Sequence, residues 1–305
     1  MADLTALRVL AAIEAHGSIS AAARALGLSQ QAVSQRVRAL EREVGARLVD
    51  RSARGSALSE PGRLVATWAR DVVEAATRFE VAVAALRAPG AAPLRVAASL
   101  TVAEHLMPGW LVRLRATGAP GSDSVELTAA NSAAVLALVR AGSHDLGFVE
   151  TPHLPADLES RTLAHDELVV VVGPQHPWAH RATPLTSAEL AATALVTRED
   201  GSGTRAALEA ALQAHVHVPA SALPRPVALL PTTAAVRATA AAGAGPAVLS
   251  LLAVRDALLA GSLVRVPLAD LRVTRPLSVV WSPTLPRVPD AAQALLDVIA
   301  ADARH

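Results

Sequence analysis

Four side chains near the N-terminus have types and spacing suited to reading a nucleic acid. Gln31, Ser34, Gln35 and Arg38 recur at i, i+3, i+4 and i+7, so a helix brings them to one face. Gln and Arg make bidentate hydrogen bonds to the edges of A and G in a major groove. Val33, Val37, Leu40 and Val44 form the opposite, apolar stripe, which a core must cover. An ordinary solvated helix face has the same composition, so the reading depends on what flanks the helix.

The flanks favour recognition. Leu4, Leu7, Val9/Leu10 and Ile13 have helical spacing, Gly17 can end that helix, and Ser18 or Ser20 can cap the next. The second helix stops at Gly27, and Ser29 is a natural N-cap for a third helix over residues 30–44. Two helices joined by a short glycine-containing turn make a helix-turn-helix, and Ala21, Ala22 and Ala23 are small enough for a close crossing. Residues 45–59 read as a hairpin, with short strands at 48–49 and 57–58 and a tip bearing Arg51, Arg54 and Gly55. A basic wing suits phosphates and the minor groove. The expectation is a winged helix-turn-helix that meets DNA through Ser29, Gln30, Gln31, Ser34, Gln35, Arg38, Arg51 and Arg54.

The run GSISAAARALGLSQQAVSQRVRALE, from Gly17 to Glu41, resembles the N-terminal motif of LysR-type transcriptional regulators. So do GARLVDR, from Gly45 to Arg51, and LSEPG at residues 58–62. Gln31 departs from the Pro usual in that family, removing a rigid helix start and adding a group able to touch a base. Val49 stands where an aromatic is usual.

Pro61 suits the first turn of a helix, and no breaker follows until Pro89-Gly90. A helix over residues 60–88 would be ~42 Å long. Within it Val65, Trp68, Val72, Ala75, Phe79, Ala82/Val83 and Leu86 alternate steps of three and four, a heptad seam that asks for a partner helix. The resemblance implies an antiparallel linker-helix homodimer, with effector domains pairing separately into a homotetramer. Residues 89–93, PGAAP, read as a hinge.

From residue 94 strand-like runs alternate with Ala-rich helices, as in α/β layers with mostly parallel strands. The resemblance implies an effector-binding domain, residues 94–305, built of two periplasmic-binding-protein-like subdomains. Subdomain I takes residues 94–163 and 269–305, subdomain II residues 164–268, with crossovers near 161–165 and 266–271. Ligands of open α/β sheets bind at strand carboxyl ends and helix N-termini. Three segments qualify: Ser99 and Thr101; Glu150 and Thr151; and Ser202, Gly203 and Thr204. Each is also what an ordinary cap or turn looks like. The family places its effector pocket at the equivalents of the first and third, and free N–H groups there favour a small anion. The GSGTR loop and GFVE strand end resemble the branch that senses inorganic anions or carbon and sulfur intermediates. Glu150 complicates an anion pocket: it could orient an Arg, bind an amine or carry a proton.

The 305 residues are 52% apolar and 2% aromatic, enough for two domains with cores of Ala, Leu and Val. Cys is absent, which removes disulfides and Cys-ligated metals and fits a cytoplasmic location. The net charge of +1 divides unevenly: residues 1–59 hold eight Arg against five acidic groups, the remainder twenty against twenty-two. A basic module before a faintly acidic body is compatible with nucleic-acid binding. The longest stretch free of Asp, Glu and Arg, residues 238–254, is broken by Gly243, Gly245 and Pro246 and makes a poor membrane span. His176 with His180, and His215 with His217, have metal-like spacing, but a structural role is expected of them and no cofactor is expected. No Gly-x-Ser-x-Gly elbow occurs, so no enzyme is expected. The competing reading is an enzyme or solute-binding protein that uses its helix-turn-helix only to oligomerise. A polar recognition face and a basic wing would then serve no purpose.

Overall fold

The computed structural model describes residues 3–52, 55–87, 93–283 and 289–302. The chain divides into two compact units, Met1–Arg87 and Ala88–His305.

The first unit runs α1 (Leu4–His16), α2 (Ile19–Ala25), α3 (Gln30–Val44), β1 (Val49–Ser52), β2 (Gly55–Leu58) and α4 (Glu60–Arg87). Side chains close the helix starts: Asp3 accepts from the Thr5 N–H, Ser18 from Ala21 and Ser29 from Ala32. Gly27 takes φ 64° in the turn before α3. Val33 and Val37 join Val9, Ile13, Ile19, Ala22 and Ala23 in one core, and Leu40 joins Leu7, Leu10 and Leu48 in the next. Val44, expected on the same stripe, is 43% exposed, because the helix outruns its core. The wing strands are longer than expected. Arg51 pairs with Ser56 and Ser52 with Gly55, so Arg51 and Gly55 belong to strands rather than to the tip. Arg54 lies outside the described residues.

Helix α4 has two apolar faces. Ala66 and Ala69 are buried against α1, with Val65 and Val73 alongside, so Val65 serves its own chain's core rather than an open seam. Leu64, Trp68, Val72 and Phe79 stay exposed at 55%, 57%, 49% and 70%. The side chains of Ala82 and Leu86 lie outside the described residues, as do residues 89–92 of the expected hinge. Gly62 lets α4 start against the wing: a Cβ there would run into the Leu48 carbonyl oxygen.

The second unit has one sheet, ordered β4-β3-β5-β11-β6-β9-β7-β8, with β10 also on β6. Its strands are β3 (Leu94–Ser99), β4 (Val125–Ala130), β5 (Leu146–Val149), β6 (Glu159–Val172), β7 (Val196–Arg198), β8 (Ala228–Leu230), β9 (Ala247–Ser250), β10 (Val264–Val266) and β11 (Val273–Trp281). The helices are α5 (Met107–Ala116, entered by a π turn Val102–Leu106), α6 (Ser132–Arg140), α7 (Ser187–Ala191), α8 (Gly203–Val216), α9 (Thr233–Ala241), α10 (Leu251–Leu259) and α11 (Asp290–Asp302). Parallel pairs, β4-β3-β5 and β9-β7-β8, occupy the two ends. Antiparallel β11 and β6 join them, so the strands are less uniformly parallel than expected.

The join explains the two halves. Along β6, Leu168, Val170 and Val172 enter one core and Val169 and Val171 the other, so the strand is buried on both faces. Upstream, Leu163 packs in the first half. On β11, Val273 packs in the second half and Leu277 in the first. The return crossing therefore falls between these residues, beyond the expected 266–271. Helix α10 and strand β10 lie between the elements expected from the sequence; α10 starts where Ser250 Oγ accepts the Leu252 N–H.

Candidate functional site

In the first unit, Gln30, Gln31, Ser34, Gln35 and Arg38 line one concave surface on α3. All are exposed except the half-buried Ser34. Ser29 is partly engaged, since its Oγ accepts the Ala32 N–H at 3.1 Å. Glu41 ties the helix to the wing by accepting the Leu48 and Val49 N–H groups at 2.9 and 3.2 Å. Ser56 ties the wing to α2 by accepting the Ile19 N–H at 2.9 Å. A neighbouring concavity, lined by Arg38, Glu41, Arg42 and Arg47, extends the basic surface. Arg42 and Arg47 were not singled out from the sequence, although their place in the basic segment pointed to them.

In the second unit, three of the candidate effector residues, Thr101, Glu150 and Thr204, meet around a side chain that sequence reasoning missed. Arg275 on β11 is fully buried, and its guanidinium reaches both halves. Nε and Nη2 donate to Asp166 Oδ2 at 2.9 and 2.7 Å. Nη1 donates to Thr204 Oγ1 at 2.8 Å and Nη2 to Thr101 Oγ1 at 3.1 Å. Nη1 is also 2.7 Å from Glu150 Oε2. The other Glu150 oxygen accepts the Val102 N–H at 3.1 Å, at the start of the helical segment after β3. Asp166 Oδ1 accepts from Ser250 Oγ at 2.9 Å. Two buried carboxylates thus face one buried guanidinium, a surplus of one negative charge within the trio. Of the three roles open to Glu150, its place 2.7 Å from Arg275 fits the first, orienting an Arg.

The two lips touch. Asn131 Nδ2 donates to Glu199 Oε1 at 3.0 Å, and the Ala133 N–H to the Gly201 carbonyl at 3.1 Å. Gly203 makes the approach close, because a Cβ there would run into the Glu150 carbonyl oxygen and come within 2.7 Å of Ser132 Oγ. Arg198 donates twice to Glu199, each at 2.8 Å, and to Thr233 Oγ1 at 3.0 Å. Burial works to raise the Glu199 pKa, but hydrogen bonds from Arg198 and Asn131 outweigh it and hold the carboxyl below its ordinary range. Ser202 is buried at the N-cap position of α8 without capping it. Ser99 is 2% exposed, and its Oγ has no hydrogen-bond partner among the described residues. Thr151 stands apart, half-buried, its hydroxyl turned to the His153 backbone at 3.4 Å.

The histidines do not assemble a metal site: no group of three His, Asp or Glu suited to a metal occurs among the described residues. His176 Nδ1 accepts the Trp178 N–H at 3.1 Å, and His215 lies 3.6 Å from Asp270. No described helix is long and apolar enough to cross a membrane.

Comparison with known proteins matches both units. Residues 4–63 match the model of the bacterial regulatory helix-turn-helix protein, lysR family, and residues 87–304 that of the LysR substrate binding domain. An HTH-type transcriptional regulator of Mycobacterium tuberculosis is 45% identical over 284 residues, covering 92% of this chain and 91% of the relative. The RuBisCO operon transcriptional regulator of Allochromatium vinosum is 34% identical over 211 residues, 68% of this chain and 67% of that protein. The solved structure of full-length CbnR complexed with its target DNA shares the fold, with a TM-score of 0.60 and 20% identity over 98% of this chain and 99% of that one.

Proposed function

The chain belongs to the LysR family of transcriptional regulators, and from that premise we propose that it binds an operator through α3 and the wing under control of a small anionic effector held between its two α/β subdomains. Family membership makes it a regulator and not an enzyme.

The observation that carries the DNA half is the exposed face of α3: Gln30, Gln31, Gln35 and Arg38 turn outward while Val33, Val37 and Leu40 are buried. N-terminal residues of a recognition helix enter a major groove deepest. Arg51 and Arg54 supply phosphate contacts from the wing. The exposed stripe Leu64, Trp68, Val72 and Phe79 serves a homodimer through α4, and effector-domain pairing completes a homotetramer.

The effector half rests on Arg275, the buried cation among Thr101, Glu150 and Thr204, with Ser99 and Ser202 buried nearby in sequence. An effector can drive the regulator only by binding open and closed clefts differently. Closure would re-aim the linker helices and change the spacing of the DNA-binding pairs.

The test is fluorescence anisotropy on DNA from upstream of the protein's own gene. Retention at physiological salt that random DNA does not compete away is the expected result. Binding indifferent to sequence would return the helix-turn-helix to a purely oligomerising role. Thr101→Val should leave effector-free DNA affinity near wild type while weakening response to the effector, since it removes an acceptor of Arg275.

A further inference from the structure

Arg275 is fully buried. Of the five N–H groups a guanidinium presents, two donate to Asp166 and one each to Thr204 and Thr101, while Glu150 stands 2.7 Å from Nη1 as an ion pair. A ligand can reach this enclosed cation only by replacing a partner. Asp166 is poorly placed to leave: it faces Arg275 across the β6–β11 ladder, accepts two hydrogen bonds from it and accepts another from Ser250. Glu150 is the replaceable one. It follows the last residue of β5 and makes one contact with Arg275 and one with the Val102 N–H. A guanidinium and a helix-start amide are the donors that a free carboxylate would choose.

We propose that the Glu150 carboxylate is a resident stand-in for the effector, and that a small monoanionic carboxylate binds by exchanging with it at Arg275 and the Val102 N–H. The proposal rests on the cleft being the effector site. Charge sets the class. Exchange of Glu150, which moves to water, for a monoanion leaves the buried surplus at one negative charge, whereas a dianion would raise it where desolvation is costly. Size sets the limit: the side chain that leaves is itself a propionate, so acetate, glycolate or propionate fills the space. The unpartnered Ser99 hydroxyl, three residues before Val102, supplies a further donor or acceptor.

The experiment compares full-length wild type, Glu150→Ala and the shape-conserving Glu150→Gln by calorimetry and thermal melting. Acetate, glycolate, propionate and sulfate are the probes, at constant ionic strength. Carboxylates should raise the melting temperature of wild type and sulfate should not. Their affinity should rise at least tenfold in Glu150→Ala and rise also in Glu150→Gln, because the internal competitor is gone. Equal or weaker carboxylate binding in both variants would overturn the exchange, as would sulfate binding wild type as well as acetate does. Failure of every carboxylate to bind any of the three proteins overturns it too, while leaving the cleft open to another effector. Tighter binding in the variants with no change in the operator footprint would uphold the exchange and remove the regulatory reading of the cleft.

Discussion

Arg275 and Asp166 stand opposite each other in the β6–β11 ladder, and the guanidinium closes on one carboxylate oxygen with two hydrogen bonds, at 2.9 and 2.7 Å. The strands that carry them are the two that pass between the halves of the effector unit. The ion pair therefore sits in the crossing between the two halves.

Removal of the cation should cost more than removal of one anion. Arg275→Met leaves two buried carboxylates without a cation and should destabilise the protein by about 3–5 kcal/mol. Asp166→Asn leaves one carboxylate for one guanidinium and keeps one acceptor oxygen, for Arg275 or for Ser250 but not both, so about 1–3 kcal/mol is expected. Urea denaturation followed by circular dichroism compares them; an Asp166→Asn loss as large as that of Arg275→Met would contradict the charge surplus.

Base reading should separate from phosphate binding. Gln35→Ala should cost about 1–3 kcal/mol on the operator and relax one base position. Arg54→Ala should weaken all sequences alike and flatten the salt dependence. Equal losses on operator and random DNA for Gln35→Ala would sink its assignment to base contact.

The exposed stripe of α4 should be an interface. Phe79→Asp, at a position 70% exposed in the single chain, should split the dimer without unfolding the protomer. Operator affinity should fall with it, because bivalent engagement supplies much of the avidity. An intact dimer by light scattering would refute the seam.

Acid should loosen the lips. The pKa of Glu199 is held low in the folded protein, so its contribution is present above the ordinary glutamate range and fades as pH falls through the depressed value. Glu199→Gln should therefore lose stability at neutral pH and show a flatter decline into acid than wild type, as read by thermal melting across pH. Parallel profiles for the two proteins would show that the Asn131–Glu199–Arg198 contact contributes nothing.

A methyl group should be enough to disturb the closed cleft. Gly203→Ala places a Cβ against the Glu150 carbonyl oxygen, and overpacking of this kind costs about 1–3 kcal/mol. Small-angle scattering should show a wider effector unit in that variant; an unchanged profile with unchanged stability would mean that the lips yield freely.

The sequence by itself determined what is local. Ser29, the turn at Gly27 and the stripe Val33, Val37, Leu40 lie within a few residues of one another, and helix periodicity and capping act over that distance. The recognition face followed, as did the strand ends and helix starts that carry Ser99, Thr101, Glu150, Ser202 and Thr204. Tertiary structure alone decided what those groups touch. Asp166 lies 109 residues from Arg275 and Thr101 lies 174 residues from it. No spacing rule reaches that far, and an Arg standing immediately before Pro276 carries no sign of burial in the sequence. Only the antiparallel pairing of β6 with β11 brings the cation between the halves. Once it is there, desolvation favours partners for its donors, and Thr101, Glu150 and Thr204, expected to wait for a ligand, turn their hydroxyls and carboxylate to Arg275 instead.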